Sequence, residues 1–178
     1  GSIAGIFGAS GQSCVAGSRL YLHESIADEF LDKMLNLASK IKLGDPLQEE
    51  TQMGPLATLG QMNLIENEIS NAKAQGAKIL HGGKRPSNAN GGWFYEPTIV
   101  DCHDQKLKIV DTELFGPVLS VIRFKSEEEV IKLANDTKYG LAAGVFTKNG
   151  ARSLRVTKAL RAGIVWVNTY RVVSPIAP

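Results

Sequence analysis

Long apolar runs are missing from this sequence. Its strongest candidates, such as "GIVWV" at 163–167, are only strand-length, far short of the ~20 residues that cross a bilayer. A charged start followed by a long apolar stretch is missing too, so no secretory signal is read at the N-terminus. Cysteine is scarce: Cys14 and Cys102 lie far apart and fit no metal or redox spacing. A reduced, cytoplasmic setting is therefore the expectation. Excess charge is also lacking. A net charge of +2 leaves no electrostatic footprint for nucleic acid or a membrane surface, and neither is expected as a partner. His23, His81 and His103 show no ligand spacing, so no metal is expected. No Walker-type loop, G-x-G-x-x-G signature, internal repeat or low-complexity stretch is present.

What is there is an ordinary globular composition, 43% hydrophobic and 21% charged. At 178 residues the chain is long enough to bury one good core. Helical and strand periods alternate along it. This predicts a single α/β domain over 1–178, built on an open, mostly parallel twisted sheet covered by helices. "RLYLHE" (19–24) reads as a strand. A helix follows from about Ser25, its cap, with Ile26, Phe30, Met34, Leu37 and Ile41 at helical spacing. Two Pro and two Gly make 43–56 a surface loop. Residues 59–75 return to the helical period and end at Gly76 as a C-cap. "KILHGG" and "WFYEPTIV" read as strands around the turn "RPSNANGG", and "VLSVIRF" (118–124) as another. "SEEEVIKLAND" (126–136) is a Ser-capped helix and 150–161 a basic amphipathic one. "LAAGVFT" and "GIVWVN" read as buried strands.

Three places carry chemistry. In "GASGQSCVAGSR" (8–19) small residues flank Cys14. A thiolate there is a candidate nucleophile, with backbone N–H groups nearby to receive an oxyanion; the alternative is a buried, inert thiol. In "TELFGPV" (112–118) the Glu113 carboxylate suits a vicinal diol such as a ribose, and Phe115 suits a planar ring. The alternative is a solvated Glu beside a core Phe. In "VWVNTYRVVSP" (165–175) Asn168 and the following loop lie beyond the carboxyl end of a strand, where α/β sheets present ligand-facing residues. Here the alternative is a strand-end cap with Tyr170 packed at the surface.

In chain order, "GQSCVAGSR" (11–19), "QMGPL" (52–56), "ELFGPV" (113–118), "YGLAAGVFT" (139–147) and "VWVNTY" (165–170) closely resemble landmarks of the aldehyde dehydrogenase superfamily. The resemblance covers essentially the whole chain, with Gln12, Cys14, Gly17 and Arg19 in place. It implies oxidation of a small-molecule aldehyde to an acid with NAD or NADP, through a cysteine thiohemiacetal and thioester. Cys14 would be the nucleophile, its own N–H half of the oxyanion hole. Glu113 would bind the nicotinamide ribose, and Phe115 would lie near the nicotinamide. The loop Asn168–Ser174, including Tyr170 and Val172, would line the aldehyde tunnel with Phe7 opposite, in an apolar-to-mixed pocket; Arg171 is read as an exposed loop arginine. In the family a dinucleotide-binding domain supplies the base glutamate and an oxyanion-hole asparagine, and further segments assemble a homo-oligomer (dimer or tetramer). These elements are expected outside residues 1–178, which would be the catalytic domain alone, without dehydrogenase turnover by itself. Transfer of the acyl group to coenzyme A, a non-catalytic binding or assembly module, and a cysteine hydrolase using a base such as His23 stay open as alternatives.

Overall fold

β-Branched residues cluster where the chain is extended, and the computed structural model, which describes residues 1–87 and 91–172, pairs those segments in two groups. Helix α1 (Ser2–Phe7) leads through a tight turn, Gly8–Gly11, to strand β1 (Arg19–His23). Helix α2 (Glu24–Ala38), helix α3 (Leu59–Ala74) and strand β2 (Lys78–His81) follow. Then come strand β3 (Thr98–Asp101), the short helix α4 (Lys108–Asp111) and strand β4 (Val118–Phe124). Helix α5 (Glu127–Asn135), strand β5 (Ala142–Val145), helix α6 (Gly150–Ala159) and strand β6 (Ile164–Val167) complete the order.

The first sheet runs β1-β4-β3-β2, with β1, β4 and β3 parallel and β2 antiparallel to β3. Side chains alternate across it as the pleat requires. On β3 and β4, Ile99, Leu119 and Val121 join Leu22, Ala27, Leu31 and Met34 under α1 and α2. Val100, Val118 and Ile122 join Met62, Ile65, Ile69 and Tyr95 under α3 and α4. Helices on both faces of a mainly parallel sheet give the predicted α/β class its physical form.

Ser, Thr and Asn side chains cap three helices, and of these caps the sequence predicts only Ser126. Thr58 accepts from the Gln61 N–H, Ser126 from Glu129 and Asn149 from Arg152. The Glu129 carboxylate accepts from the Lys125 N–H at 2.7 Å, one residue before the cap and so outside a standard capping box. Gly76 takes the left-handed conformation (φ 89) that ends α3.

Other expectations need correction. The cap of α2 is His23, whose ring accepts from the Ser25 N–H, and not Ser25. Its buried stripe is Ala27, Leu31, Met34 and Ala38, whereas Ile26 and Leu37 are more than half exposed. The loop 43–56 sends Met53 and Leu56 into the core. Of "WFYEPTIV" only 98–100 enter a strand, β3, because Pro97 breaks the run. The two strands read as buried form a separate parallel pair, β5-β6, with Ile164 and Val167 about 40% exposed. Two strands and one packed helix cannot cover both of their own faces. The predicted single sheet is thus two.

Candidate active site

Three successive left-handed residues precede the cysteine: Ala9 (φ 53), Ser10 (φ 56) and Gly11 (φ 69). Non-glycine residues hold that conformation only where neighbours over-determine it. Here they do. Ser10 Oγ donates to the Gly54 carbonyl at 2.9 Å. The Gln12 side chain donates to the Pro55 carbonyl at 3.4 Å and accepts from the Ala57 N–H at 2.8 Å. Gly11 is required for a second reason, since any side chain there would collide with the backbone of Gly116. The Ala16 N–H then bonds the Ser13 carbonyl at 2.9 Å, closing a turn that leaves Cys14 exposed.

The segment after α4 is held from below. Leu114 is buried, and its carbonyl accepts from Gln61 Nε2 of α3. Gly116 sits so close to Ile65 of α3 that an added side chain would have to displace the Ile65 tip. On either side of Leu114, Glu113 and Phe115 stand out of the surface, Phe115 with φ 48 and 39% exposed. An exposed aromatic in a strained backbone conformation is costly for folding and marks a candidate ligand contact.

Cys14, Glu113, Phe115 and Tyr170 line one open groove of about 1200 Å³, which continues between the edges of β1 and β5. Tyr170 is the hinge pin of that groove. Its ring lies over Gly5, Gly17 and Gly144, where added side chains would come within 3.1, 3.4 and 2.6 Å of it. Trp166 packs against it at 4.8 Å between centroids. Burial pushes the Tyr170 hydroxyl above its ordinary range. Tyr170 thus ties α1, the cysteine loop and β5 together.

The other predicted residues fall elsewhere. Phe7 is 3% exposed in the core beneath α2, and the groove wall at that point is Gly5 and Ile6. Asn168 (φ 55) clamps Thr147, accepting from its N–H at 2.9 Å and donating to its carbonyl at 3.0 Å. It staples the ends of β5 and β6. Val172 is 64% exposed, its carbonyl accepting from Trp166 Nε1 at 2.7 Å. Val173 and Ser174 lie outside the described residues. Arg171 is committed to structure, donating to the carbonyls of Ala4 and Gly8 at the end of α1. Arg19 donates to Tyr21 Oη at 2.8 Å and to the Ala134 carbonyl at 3.1 Å, binding β1 to α5.

The two thiols differ sharply. Cys102 is 2% exposed, and burial pushes it up to about 11. Cys14 alone is open to a reactant. The nearest histidine in sequence, His23, has both ring nitrogens engaged, by Ser25 Oγ at 2.8 Å and the Lys125 carbonyl at 3.0 Å. It serves as the cap of α2, with no ring nitrogen left free for a His23–Cys14 dyad. Among the described residues no three His, Cys, Asp or Glu side chains are placed to hold a metal ion. No helix there is long and apolar enough to cross a membrane. The residues that sequence reasoning missed (Ser10, Leu56, Gln61 and Gly144) carry no local signal, because their roles arise from contacts across long sequence separations.

Residues 1–178 match the Aldehyde dehydrogenase family. A (Z)-2-((N-methylformamido)methylene)-5-hydroxybutyrolactone dehydrogenase of Acinetobacter baylyi is 52% identical over 99% of the chain and 36% of its own length. A peroxisomal aminoaldehyde dehydrogenase 2 of Pisum sativum is 50% identical, over 94% of the chain and 33% of its own length. A point mutant of betaine aldehyde dehydrogenase from Staphylococcus aureus, solved with NAD+ and a BME-modified cysteine, superimposes with a TM-score of 0.96 at 41% identity. That match covers 99% of the chain and 36% of the solved one. The chain spans about a third of the length of these relatives.

Proposed function

Because the chain belongs to the aldehyde dehydrogenase family, we propose that it carries the nucleophile and part of the cofactor cradle of an enzyme oxidising an aldehyde to a carboxylic acid with NAD or NADP. The observation that carries this reading is the convergence of an exposed Cys14 with Glu113 and Phe115 on one groove. The groove fits a nicotinamide nucleotide on its own terms. Glu113 offers two acceptor oxygens to a ribose diol, and the exposed Phe115 ring offers an apolar face to a planar ring. The bound dinucleotide supplies the hydride acceptor.

The Cys14 thiolate adds to the aldehyde carbon, and the carbonyl electron pair moves to oxygen. The resulting alkoxide receives a hydrogen bond from the Cys14 backbone N–H. Loss of hydride from the thiohemiacetal carbon lets the alkoxide collapse to a thioester on Cys14. Water then adds to the thioester, the thiolate leaves, and the acid departs with one proton released. A single exposed thiol in a turn free of bulky neighbours suits both additions, since each needs an approach path to the same carbon. The water-activating base and the second oxyanion donor are assigned to protein outside these 178 residues. On this reading residues 1–178 are the catalytic domain, and the isolated chain reduces no NAD or NADP.

The dehydrogenase names of the relatives support aldehyde oxidation in general, and Tyr170 is proposed as the aldehyde-side wall, on a loop whose start Asn168 staples to Thr147. Two free thiols support a cytoplasmic setting, against relatives named as peroxisomal or chloroplastic. The uncovered edges and faces of β5 and β6 support a homo-oligomeric enzyme, dimer or tetramer. The direct test is Cys14→Ala in the full-length protein: NADH formation from aldehyde falls by at least ~10³-fold if the covalent route is used. Retention of more than a tenth of the wild-type rate would sink the assignment. Release of an acyl-coenzyme A in place of the acid would redirect it to the acylating branch.

A further inference from the structure

Both halves of the groove hang on one short stretch of chain, residues 54–61, which none of the proposed chemistry uses. The cysteine turn reaches it from one side, through Ser10 to Gly54 and through Gln12 to Pro55 and Ala57. The Glu113–Phe115 segment reaches it from the other, through the Gln61 amide on the Leu114 carbonyl. Leu56 lies between the two, buried against Gly116. Thr58 caps α3 in the middle of the stretch and so fixes the position of Gln61 one turn later. Beyond it the same face of α3 continues as a rail. Ile65 supports Gly116, and the buried Glu68 pairs with Lys108 at the head of the 108–116 segment.

The geometry points to Gln12 and Gln61 as two positioning residues. Gln12 registers the nucleophile, and Gln61 registers the cofactor-contacting pair Glu113 and Phe115, each against the same 54–61 plate. This rests on the dehydrogenase reading for what the two halves bind, but not for how they are held. The chemistry of each glutamine matches its task. Gln12 uses both ends of its amide, as donor and as acceptor, so neither Glu nor Ala replaces it fully. Gln61 uses its donor end on the Leu114 carbonyl, so Glu at the same shape turns that contact into a repulsion. Because Leu114 is the buried anchor between two exposed residues, its carbonyl is the natural place to fix their orientation.

The experiment uses the full-length protein with Gln12→Ala, Gln61→Ala and the isosteric Gln61→Glu. Two readouts need no cofactor: the iodoacetamide alkylation rate of Cys14, and amide hydrogen exchange over 113–116. The third is the NAD dissociation constant by fluorescence titration. Loss of one hydrogen bond predicts about a threefold to tenfold change. It is expected in alkylation alone for Gln12→Ala, and in exchange and NAD affinity for both Gln61 variants. Parallel movement of all readouts in every variant would reduce both glutamines to general packing and overturn the proposal. So would no movement in any. If Gln61→Ala unfolds, Gln61→Glu decides. If exchange responds while NAD affinity does not, the positioning holds and the assignment of Glu113 and Phe115 to the cofactor is what fails.

Discussion

Strand β3, "TIVD", is half apolar and strand β6, "IVWV", wholly so, yet it is β3 that ends buried. Ile99 and Val100 are fully buried, whereas Ile164 and Val167 keep about 40% of their surface in solvent. β3 lies inside a four-stranded sheet with α1 and α2 on one face and α3 and α4 on the other. Among the described residues β6 pairs with β5 alone, and α6 is the helix chiefly packed on it. Burial is therefore set by how many layers reach a strand and not by its own composition. The candidate site sits where the two conditions meet. Cys14, Glu113 and Phe115 are fixed to the well-covered unit, and Tyr170 joins it to the exposed one.

The sharpest way to break this comparison is to truncate matched isoleucines. Ile99→Ala removes a fully buried side chain and is expected to cost about 2–5 kcal/mol. Ile164→Ala, 40% exposed, is expected to cost less than about 1 kcal/mol. Urea unfolding monitored by circular dichroism measures both. Equal losses would mean that Ile164 is covered in the folded protein, and the contrast between the two sheets would collapse.

A smaller effect comes from the joint. Tyr170→Ala empties the slot over Gly5, Gly17 and Gly144 and removes the Trp166 contact. The ring is only partly buried, so a loss of about 1–3 kcal/mol is expected. Tyr170→Phe keeps the ring and should lose less than about 0.5 kcal/mol. Hydrogen exchange separates the units: β5 and β6 amides should speed up while β3 and β4 amides hold. Uniform acceleration of all four strands would show one cooperative unit and no joint.

Much of this architecture was legible because its causes are local. Ser126 announces its helix by capping chemistry that a short window contains. The β-branched run 118–124 announces its strand in the same way. Cys14, Glu113 and Phe115 were legible through motif resemblance, and the structure brings them to one groove. What composition could not supply is which face of α2 is covered: Ile26 and Leu37 match the helical period but lie toward the groove. Nor could it show that Asn168 spends both ends of its amide on Thr147, or that Phe7 points into the core. The roles of Gln12 and Gln61 depend on partners 43 to 53 residues away. No window on the sequence holds such pairs.

The smallest expected effect lies on the helices that flank the exposed unit. Glu127 of α5 accepts from Arg155 at 2.8 and 2.9 Å and from Arg152 at 3.2 Å, both on α6. Those guanidiniums, Arg155 above all, hold its carboxyl below the usual glutamate range. A depressed carboxyl stabilises the fold fully above the unfolded glutamate pKa of ~4.3, and that stabilisation disappears as pH falls through the lower folded value. Acid should therefore loosen the α5–α6 contact first in wild type, and salt should weaken it at neutral pH. Glu127→Gln should flatten this dependence, while the exchange of β3 and β4 amides stays unchanged in both proteins. If α6 amides respond to acid identically in wild type and Glu127→Gln, the ion pairs are ornaments of the surface. The second sheet would then be held to the first by Tyr170, by Arg171 on the Ala4 and Gly8 carbonyls and by the Asn135 amide on Ala159 and Arg161.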